Sequence, residues 1–259
     1  MRTHLLIPDT QIRPDVPTEF LGWIGEYIVH KKPDVVVQIG DFADMHSLSS
    51  YDMGKKSAEG ARYEEDVQAS RDAMSVLMAP LEEYNRQQRK NGKKQYRPEL
   101  HLTIGNHEER IERHVNANPL LAGKLSIDDL GYKDFGWTVH NFLDTVLIDG
   151  VLYSHFFPRG PNGRVMQNRN GAPSAKAMVS RESNSCTAGH TQGLDFHIQQ
   201  TGAGRLYGLI AGSCYMHEED FLTPQGTHYW RGIVMKHEVQ EGAYDPMFVS
   251  LDYLRRTYG

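Results

Sequence analysis

Side chains that bind metal ions or transfer protons recur in this chain directly after short apolar runs. Five separate pieces carry carboxylate, amide or imidazole donors: Asp9-Thr10-Gln11, Gly40-Asp41-Phe42-Ala43-Asp44, Gly105-Asn106-His107-Glu108, His155, and Gly189-His190-Thr191-Gln192. Nitrogen and oxygen donors of these types suit divalent ions such as Mn, Zn, Fe and Ni. A lone Gly-Asp after a strand is usually an ordinary turn, and a lone histidine is more often a core or rim residue. The co-occurrence of the five pieces therefore matters more than any single one.

Three other catalytic motifs are excluded by the sequence. A zincin motif, H-E-x-x-H, would need a histidine where Ile111 stands. The tripeptide G-K-[ST] of a phosphate-binding P-loop does not occur, and neither does the nucleophile elbow G-x-S-x-G.

The elements before the first three pieces predict a βαβ unit and a further strand. Apolar runs that predict buried strands are His4 to Pro8, Val35 to Ile39 and His101 to Ile104. Between the first two runs, apolar residues recur at helical spacing from Pro17 to Lys32. Because ligands of open α/β sheets collect beyond the carboxyl ends of the strands, we expect Asp9, Asp41 and Asn106 to converge.

The rest of the chain predicts a long helix and then a second sheet. The helical stripe runs from Ala61 to about Asn91, with a kink or break at Pro80. Strands are predicted at Thr145 to Ile148, Val151 to Phe156, Leu206 to Ala211, Gly232 to His237 and Met247 to Leu251, and a loop at Arg159 to Ala175. No linker or repeat divides the chain, which predicts one domain over residues 1–259 with a helical basic insertion at about 45–98.

Composition limits the partners and the cellular location that are expected for the protein. With 28 basic and 33 acidic residues the formal net charge is −5. This charge argues against nucleic-acid binding by the overall charge of the protein but allows a local basic groove. Two cysteines, Cys186 and Cys214, are too few for a disulfide framework and favour a cytoplasmic location. No apolar stretch approaches the ~20 residues that span a bilayer, so no membrane partner is expected.

The order and spacing of the five pieces resemble the calcineurin-like metallophosphoesterases. That family shows D-x-H, G-D-x-x-D, G-N-H-[DE], a lone H and G-H-x-H, and the resemblance runs from Asp9 to Gln192. It implies an α/β fold, a four-layer α/β/β/α sandwich of two mixed sheets flanked by helices. It also implies a hydrolase that uses a hydroxide activated by two divalent ions.

The resemblance implies a ligand for each ion. Asp41 would bridge the two ions, Asp9 would complete the anionic side of the first, and Asn106, His155 and His190 would bind the second. Gln11 and Gln192 stand where the family has histidines, and both departures fall on the first ion. Amide oxygens are harder and weaker donors than imidazoles, so Mn is the expected cofactor, with Mg, Zn, Fe and Ni as alternatives. If the first site is lost instead, the chain is a metal-poor binding module of the same fold.

Two further residues have catalytic roles by the same resemblance. His107 would sit beside the leaving group and donate a proton or stabilise charge, without binding a metal. Asp44 would pair with His107 and keep it protonated, because a neighbouring carboxylate raises the pKa of a histidine.

The substrate is less constrained by the sequence. Candidate phosphate contacts are His46, near the place of the arginine that follows G-D-x-x-D in protein phosphatases, and Arg159 and Arg164 in a glycine-rich loop. Arg86 to Arg97 packs six positive charges into twelve residues, as a solvated helix end or as a nucleic-acid contact does.

The leading expectation is a phosphodiesterase acting on nucleic acid or a nucleotide, like small bacterial and phage members of the family. A phosphomonoesterase is the alternative, and the oligomeric state is not predicted.

Overall fold

The computed structural model describes residues 1–50, 59–157, 173–218 and 228–259. The strands are β1 Arg2–Ile7, β2 Val35–Gln38, β3 Glu99–Thr103, β4 Thr138–His140, β5 Val146–Ile148, β6 Val151–Tyr153, β7 Ser185–Ala188, β8 Leu194–Thr201, β9 Gly204–Ala211, β10 Gly232–Gln240 and β11 Ala243–Ser250. The helices are α1 Glu19–Lys31, α2 Tyr63–Lys90, α3 Glu109–Ala117, α4 Ala175–Glu182 and α5 Leu251–Tyr258.

The first sheet has six strands in the order β11-β10-β1-β2-β3-β4. Strands β1 to β4 are parallel, so their carboxyl ends lie at one edge of the sheet. The prediction that Gly232 to His237 and Met247 to Leu251 belong to the second sheet was wrong, because β10 and β11 extend the first sheet instead. Strand β10 runs antiparallel to β1 and therefore begins at that same edge. Strands β1, β2 and β3 end immediately before the loops that carry the first three donor pieces, as the sequence predicts.

The second sheet has five strands in the order β5-β6-β7-β9-β8. Its central strands β6, β7 and β9 are parallel, while the outer strands β5 and β8 pair antiparallel with their neighbours. Strand β6 leads to His155 and strand β7 leads to His190, which places both histidines at the carboxyl ends of adjacent parallel strands.

The two sheets pack face to face, with helices on both outer sides. One core lies between the sheets and includes Leu6 and Val37 from the first sheet and Tyr153 and Leu209 from the second. A larger core lies between the first sheet and its helices, and a smaller one lies between the second sheet and α4. The predicted four-layer α/β/β/α architecture is confirmed. None of the described helices is long and apolar enough to cross a membrane.

Helix α2 runs without interruption through Pro80, so this proline does not cause the break that the sequence allowed. Pro80 lies against Gly25 of α1, where an added Cβ would meet the Leu77 carbonyl oxygen at 2.4 Å and Pro80 Cγ at 2.8 Å. The absence of a side chain at Gly25 therefore allows the close crossing of the two helices.

A polar cluster lies buried between the two sheets. Nδ1 of His4 lies 2.8 Å from the Tyr153 hydroxyl, and its Nε2 lies 2.8 Å from Oδ2 of Asp149. Nζ of Lys236 donates to Tyr153 at 3.1 Å and to Thr187 at 2.6 Å. Because the Asp149 carboxylate accepts from Nε2, His4 Nδ1 accepts from the Tyr153 hydroxyl, which in turn accepts from Lys236. Each buried polar atom in this chain of contacts thus has a partner.

Candidate metal centre

The strand-end loops approach one another closely, and glycines make the approach possible. A Cβ at Gly105 would lie 2.1 Å from Oδ1 of Asp41 and 2.3 Å from its backbone nitrogen. A Cβ at Gly189 would lie 2.4 Å from Oδ1 of Asp9. These distances are far below van der Waals contact, so any larger residue would push the neighbouring carboxylate out of place. The close approach explains why these two donor pieces begin with Gly.

A single buried carboxylate, that of Glu108, holds two of these loops. It accepts hydrogen bonds from the backbone N–H groups of Asp41 (3.0 Å), Phe42 (2.7 Å), Ala43 (3.0 Å) and Gly105 (3.0 Å). Charge-assisted bonds of this kind are stronger than neutral ones. Glu108 therefore fixes the loop after β2 relative to the loop after β3.

Four donor atoms converge at the edge where the strands end. Nε2 of His155 lies 3.2 Å from Oδ2 of Asp41 and 3.0 Å from Oδ1 of Asn106, and Nδ1 of His190 lies 2.6 Å from the same Asn106 oxygen. Donor atoms of Asp41, His155 and His190 all lie within 4.8 Å of one another. The structure thus brings together all four residues that the resemblance assigned to the second ion, counting Asp41 as the bridge.

The contacts of His155 favour positive charge in this cluster. Its Nδ1 lies 2.8 Å from the Ile39 carbonyl oxygen, which can only accept, so Nδ1 carries a proton. A neutral His155 would then direct the lone pair of Nε2 toward two oxygen atoms. Either a second proton or a cation removes this repulsion. Burial alone would lower the pKa of His155, but the charge and hydrogen bond of Asp41 raise it to about 9. One carboxylate, one amide oxygen and two imidazoles fit a transition-metal ion at this place.

Asp9 adds a second carboxylate to the same cluster. Its side chain is fully buried and accepts the His190 backbone N–H at 3.1–3.2 Å. Burial and the charge of Asp41 together raise the pKa of Asp9 to about 7, although the charge of His155 acts in the opposite direction. His107 and His155 hold the pKa of Asp41 well below its usual range although burial acts in the opposite direction. Two buried acids side by side favour a bound cation.

The two glutamines predicted for the first ion differ in their surroundings. Gln11 is fully buried, and neither polar atom of its side chain has a hydrogen-bond partner among the described residues. A buried unpaired carboxamide is costly, by about 1–3 kcal/mol, and a bound ion would supply the missing partner for its oxygen. Oε1 of Gln192 accepts a hydrogen bond from the buried Tyr215 hydroxyl at 2.7 Å. The role of both residues as ligands stays a prediction.

His107 and Asp44 form the predicted pair. Nδ1 of His107 lies 2.6 Å from Oδ1 of Asp44. Burial alone would lower the pKa of His107, but Asp41 and Asp44 raise it above its usual value. Burial alone would raise the pKa of Asp44, but His107, Arg110 and Arg13 hold it well below its usual range. The pair therefore favours a protonated histidine beside an ionised aspartate.

Residues that the sequence reasoning did not assign complete this region. Arg110 donates to the Asp44 carbonyl oxygen at 2.7 Å and to its Oδ1 at 3.1 Å, and Arg13 donates to Oδ2 at 3.2 Å. The Phe156 ring stacks on the predicted ligand His190 with centroids 4.7 Å apart. Arg110 lies three residues after His107, at the start of α3, and this short spacing was the available sequence signal for it.

The predicted phosphate contacts fall partly within the described residues. Nδ1 of His46 lies 4.0 Å from Oδ2 of Asp44, so this histidine lies next to the His107–Asp44 pair. Arg159 and Arg164 lie outside the residues that the structure describes.

The basic run lies at the other end of the first sheet. The Tyr96 hydroxyl donates to the Pro33 carbonyl oxygen, and Pro33 precedes β2, whereas the candidate metal centre follows it. Near the start of α2, in contrast, Asp66 accepts the Ser47 backbone N–H close to the site. A helix of 28 residues is about 42 Å long, so the basic run does not border the cluster.

Comparisons with known proteins give only distant likenesses. No protein-family model matches the chain, and no curated protein matches it significantly. Among solved structures, it is similar to YfcE, a phosphoesterase from E. coli, with 10% identity and a TM-score of 0.38 over 96% of this chain and 100% of that one. It is also similar to TT1561 of Thermus thermophilus, with 8% identity and a TM-score of 0.39 over 95% and 98% of the two chains. The chemistry of the site therefore carries the functional conclusion.

Proposed function

We propose that this chain is a metal-dependent phosphoesterase that hydrolyses phosphodiester bonds in a nucleotide or nucleic acid. The observation that carries the proposal is the convergence of Asp41, Asn106, His155 and His190 next to the His107–Asp44 pair. Divalent ions held there, with Mn as the expected ion, would supply positive charge and lower the pKa of a water molecule.

The side chains have distinct tasks in such a reaction. Asp41, Asn106, His155 and His190 would hold one ion, and Asp9, Gln11 and Gln192, with Asp41 shared, would hold the other. His107 carries a proton on Nδ1 toward Asp44, which leaves Nε2 facing Asp41 at 3.8 Å. A protonated Nε2 can donate to the oxygen of the departing group, which is the general-acid role.

The surroundings of Asp44 support a diester over a monoester. A monoester carries up to two negative charges at neutral pH and a diester carries one. Arg13 and Arg110 both donate to Asp44, so their charge is already balanced in part by that carboxylate. A singly charged substrate fits this arrangement better. The distance of the basic run from the site supports a small diester over a long polymer.

The test compares two chromogenic esters in the presence of Mn. We expect bis-p-nitrophenyl phosphate to be hydrolysed with a higher kcat/KM than p-nitrophenyl phosphate, and elemental analysis to find two ions per chain. A strong preference for the monoester would replace the proposal with a phosphomonoesterase. The absence of both metal and turnover would establish a metal-poor binding module instead, which is the alternative that Gln11 and Gln192 would then support.

A further inference from the structure

A pocket lined mainly by aromatic and charged side chains lies at the edge of the first sheet where β10 begins and β11 ends. Its volume is about 370 Å³. Its walls come from α1, α5 and the segments that precede residue 219 and follow residue 227, and they include Trp23, Tyr215, Tyr229, Trp230, Arg231 and Arg255. None of these residues has a role in the chemistry described above.

The pocket is joined to the metal centre by the backbone. Ser213 forms parallel bridges both to Asp9 and to Arg231. Neighbouring strands lie about 4.8 Å apart, so Arg231 lies roughly 10 Å from Asp9 along this row. Tyr215 makes a second link, because it lines the pocket and its hydroxyl donates to Gln192 at 2.7 Å. This distance is comparable to the length of a nucleotide, and Ser213 and Tyr215 are themselves buried between the two places.

The pocket wall is held in a defined shape. The Arg231 guanidinium lies 4.5 Å from the Tyr215 ring centroid and donates to the carbonyl oxygens of Tyr215 (3.3 Å) and His217 (3.0 Å). The Trp230 ring makes an edge contact with Phe248 at 5.9 Å, and the ring leaves no room for a Cβ at Gly232, which would lie 2.8 Å away. These contacts fix two flat surfaces before any ligand arrives.

The chemistry of the lining indicates a flat, electron-rich ring. Tyr229 is 41% exposed although it is a large aromatic residue, which leaves its ring available for stacking. Arg255 forms no ion pair with another described residue and lines the same pocket, as does the acidic Asp252. Bases stack on aromatic rings and on guanidinium planes.

We propose that this pocket binds the nucleobase of the substrate while its phosphate lies at the metal centre. The inference rests on the proposed function for the position of the phosphate, and it narrows the substrate class to nucleotides.

The test measures binding by the full chain of adenosine 5′-monophosphate and of ribose 5-phosphate, which lacks the base. Calorimetry with and without Mn gives both affinities, and quenching of tryptophan fluorescence reports stacking near Trp23 or Trp230. We expect tighter binding of the nucleotide and quenching by it alone. The substitution Tyr229→Ala should weaken nucleotide binding by about tenfold without changing the affinity for ribose 5-phosphate. Arg255→Gln should likewise weaken nucleotide binding and leave the affinity for ribose 5-phosphate unchanged.

A matched control is Tyr253→Ala, because Tyr253 is 42% exposed and does not line the pocket. It should leave both affinities unchanged. Equal affinity for the two ligands, or an unchanged nucleotide affinity in Tyr229→Ala, would overturn the proposal. If the protein hydrolyses esters but the base adds nothing to binding, only the proposal of a base-binding pocket is refuted. If binding depends on the base but no ester is hydrolysed, the proposed enzyme activity is refuted and the base-binding pocket is not.

Discussion

Nε2 of His107 lies 3.8 Å from Oδ2 of Asp41, while its backbone N–H donates to Oδ1 of the same carboxylate at 2.9 Å. The backbone contact orients Asp41 whatever side chain stands at position 107. The His107 imidazole therefore lies near the Asp41 carboxylate without being needed to position it.

The first prediction separates catalysis from metal binding. His107→Ala should lower kcat for bis-p-nitrophenyl phosphate by about 100-fold or more, because it removes the general acid, and should leave the metal content unchanged. Steady-state kinetics and elemental analysis of the same preparation check both outcomes. His114→Ala, in the helix α3 that follows His107, is the control and should have wild-type kinetics. Loss of metal in His107→Ala would show that the residue is a ligand.

The second prediction concerns the pH profile. Burial opposes protonation of His107, but Asp41 and Asp44 raise its pKa. In the proposed reaction the protonated form of His107 is the active one. Asp44→Asn removes one of the raising charges, so the alkaline limb of log kcat/KM against pH should move to lower pH. An alkaline limb that stays in place would mean that another group controls it.

The third prediction concerns the Glu108 carboxylate. Glu108→Gln puts an NH2 group among backbone N–H donors, so at least one donor loses its acceptor at a cost of about 1–3 kcal/mol. We expect a lower free energy of unfolding in urea and weaker metal binding. The carboxylate of the neighbouring Glu109 accepts no hydrogen bond from another described residue. Glu109→Gln is therefore the control and should change neither the free energy of unfolding nor the metal affinity.

The fourth prediction concerns the donor at position 11. Gln11→His restores an imidazole at a buried position whose carboxamide has no partner among the residues described. Imidazole binds Zn and Fe better than an amide oxygen does, so the metal preference should shift from Mn toward Zn. Competition titration with the two ions measures the shift, and an unchanged preference would place position 11 outside the coordination sphere.

The fifth prediction concerns stability in acid. Burial, together with the charge of Lys236, lowers the pKa of His4 to about 4, while the unfolded chain keeps the usual value of 6.5. Between these two pH values the unfolded state binds more protons, so stability falls as the pH falls from about 6.5 to about 4, by up to about 3 kcal/mol. Urea unfolding at several pH values measures the slope. His4→Gln cannot titrate and should flatten it; an equal slope in the variant would assign the effect to other groups.

The sequence was sufficient to predict the strands that carry the first donor pieces, because their apolar pattern is clear and parallel strands end at a common edge. The runs before Asp9, Asp41 and Asn106 are short and apolar, and parallel strands must bring their ends to one edge. Helices α4 and α5 have only eight residues each and were not predicted, since two turns give too little periodicity.

Long-range contacts were beyond the sequence. Arg13 is 31 residues from Asp44, and Arg110 is 66 residues from it. Their shared target depends on how loops after different strands fold back, which residue spacing does not encode. The pocket lined by Trp23, Tyr229 and Arg255 combines residues from both ends of the chain and was missed for the same reason.

The Glu108 carboxylate accepts hydrogen bonds from the backbone after β2 and from the backbone after β3. The spacing between Asp41 and Asn106 is therefore set by the register of these two strands. Exchanging one donor atom for another leaves that register untouched. Substituting one of the proposed ligands should therefore change which ion is preferred, while the spacing between positions 41 and 106 stays the same.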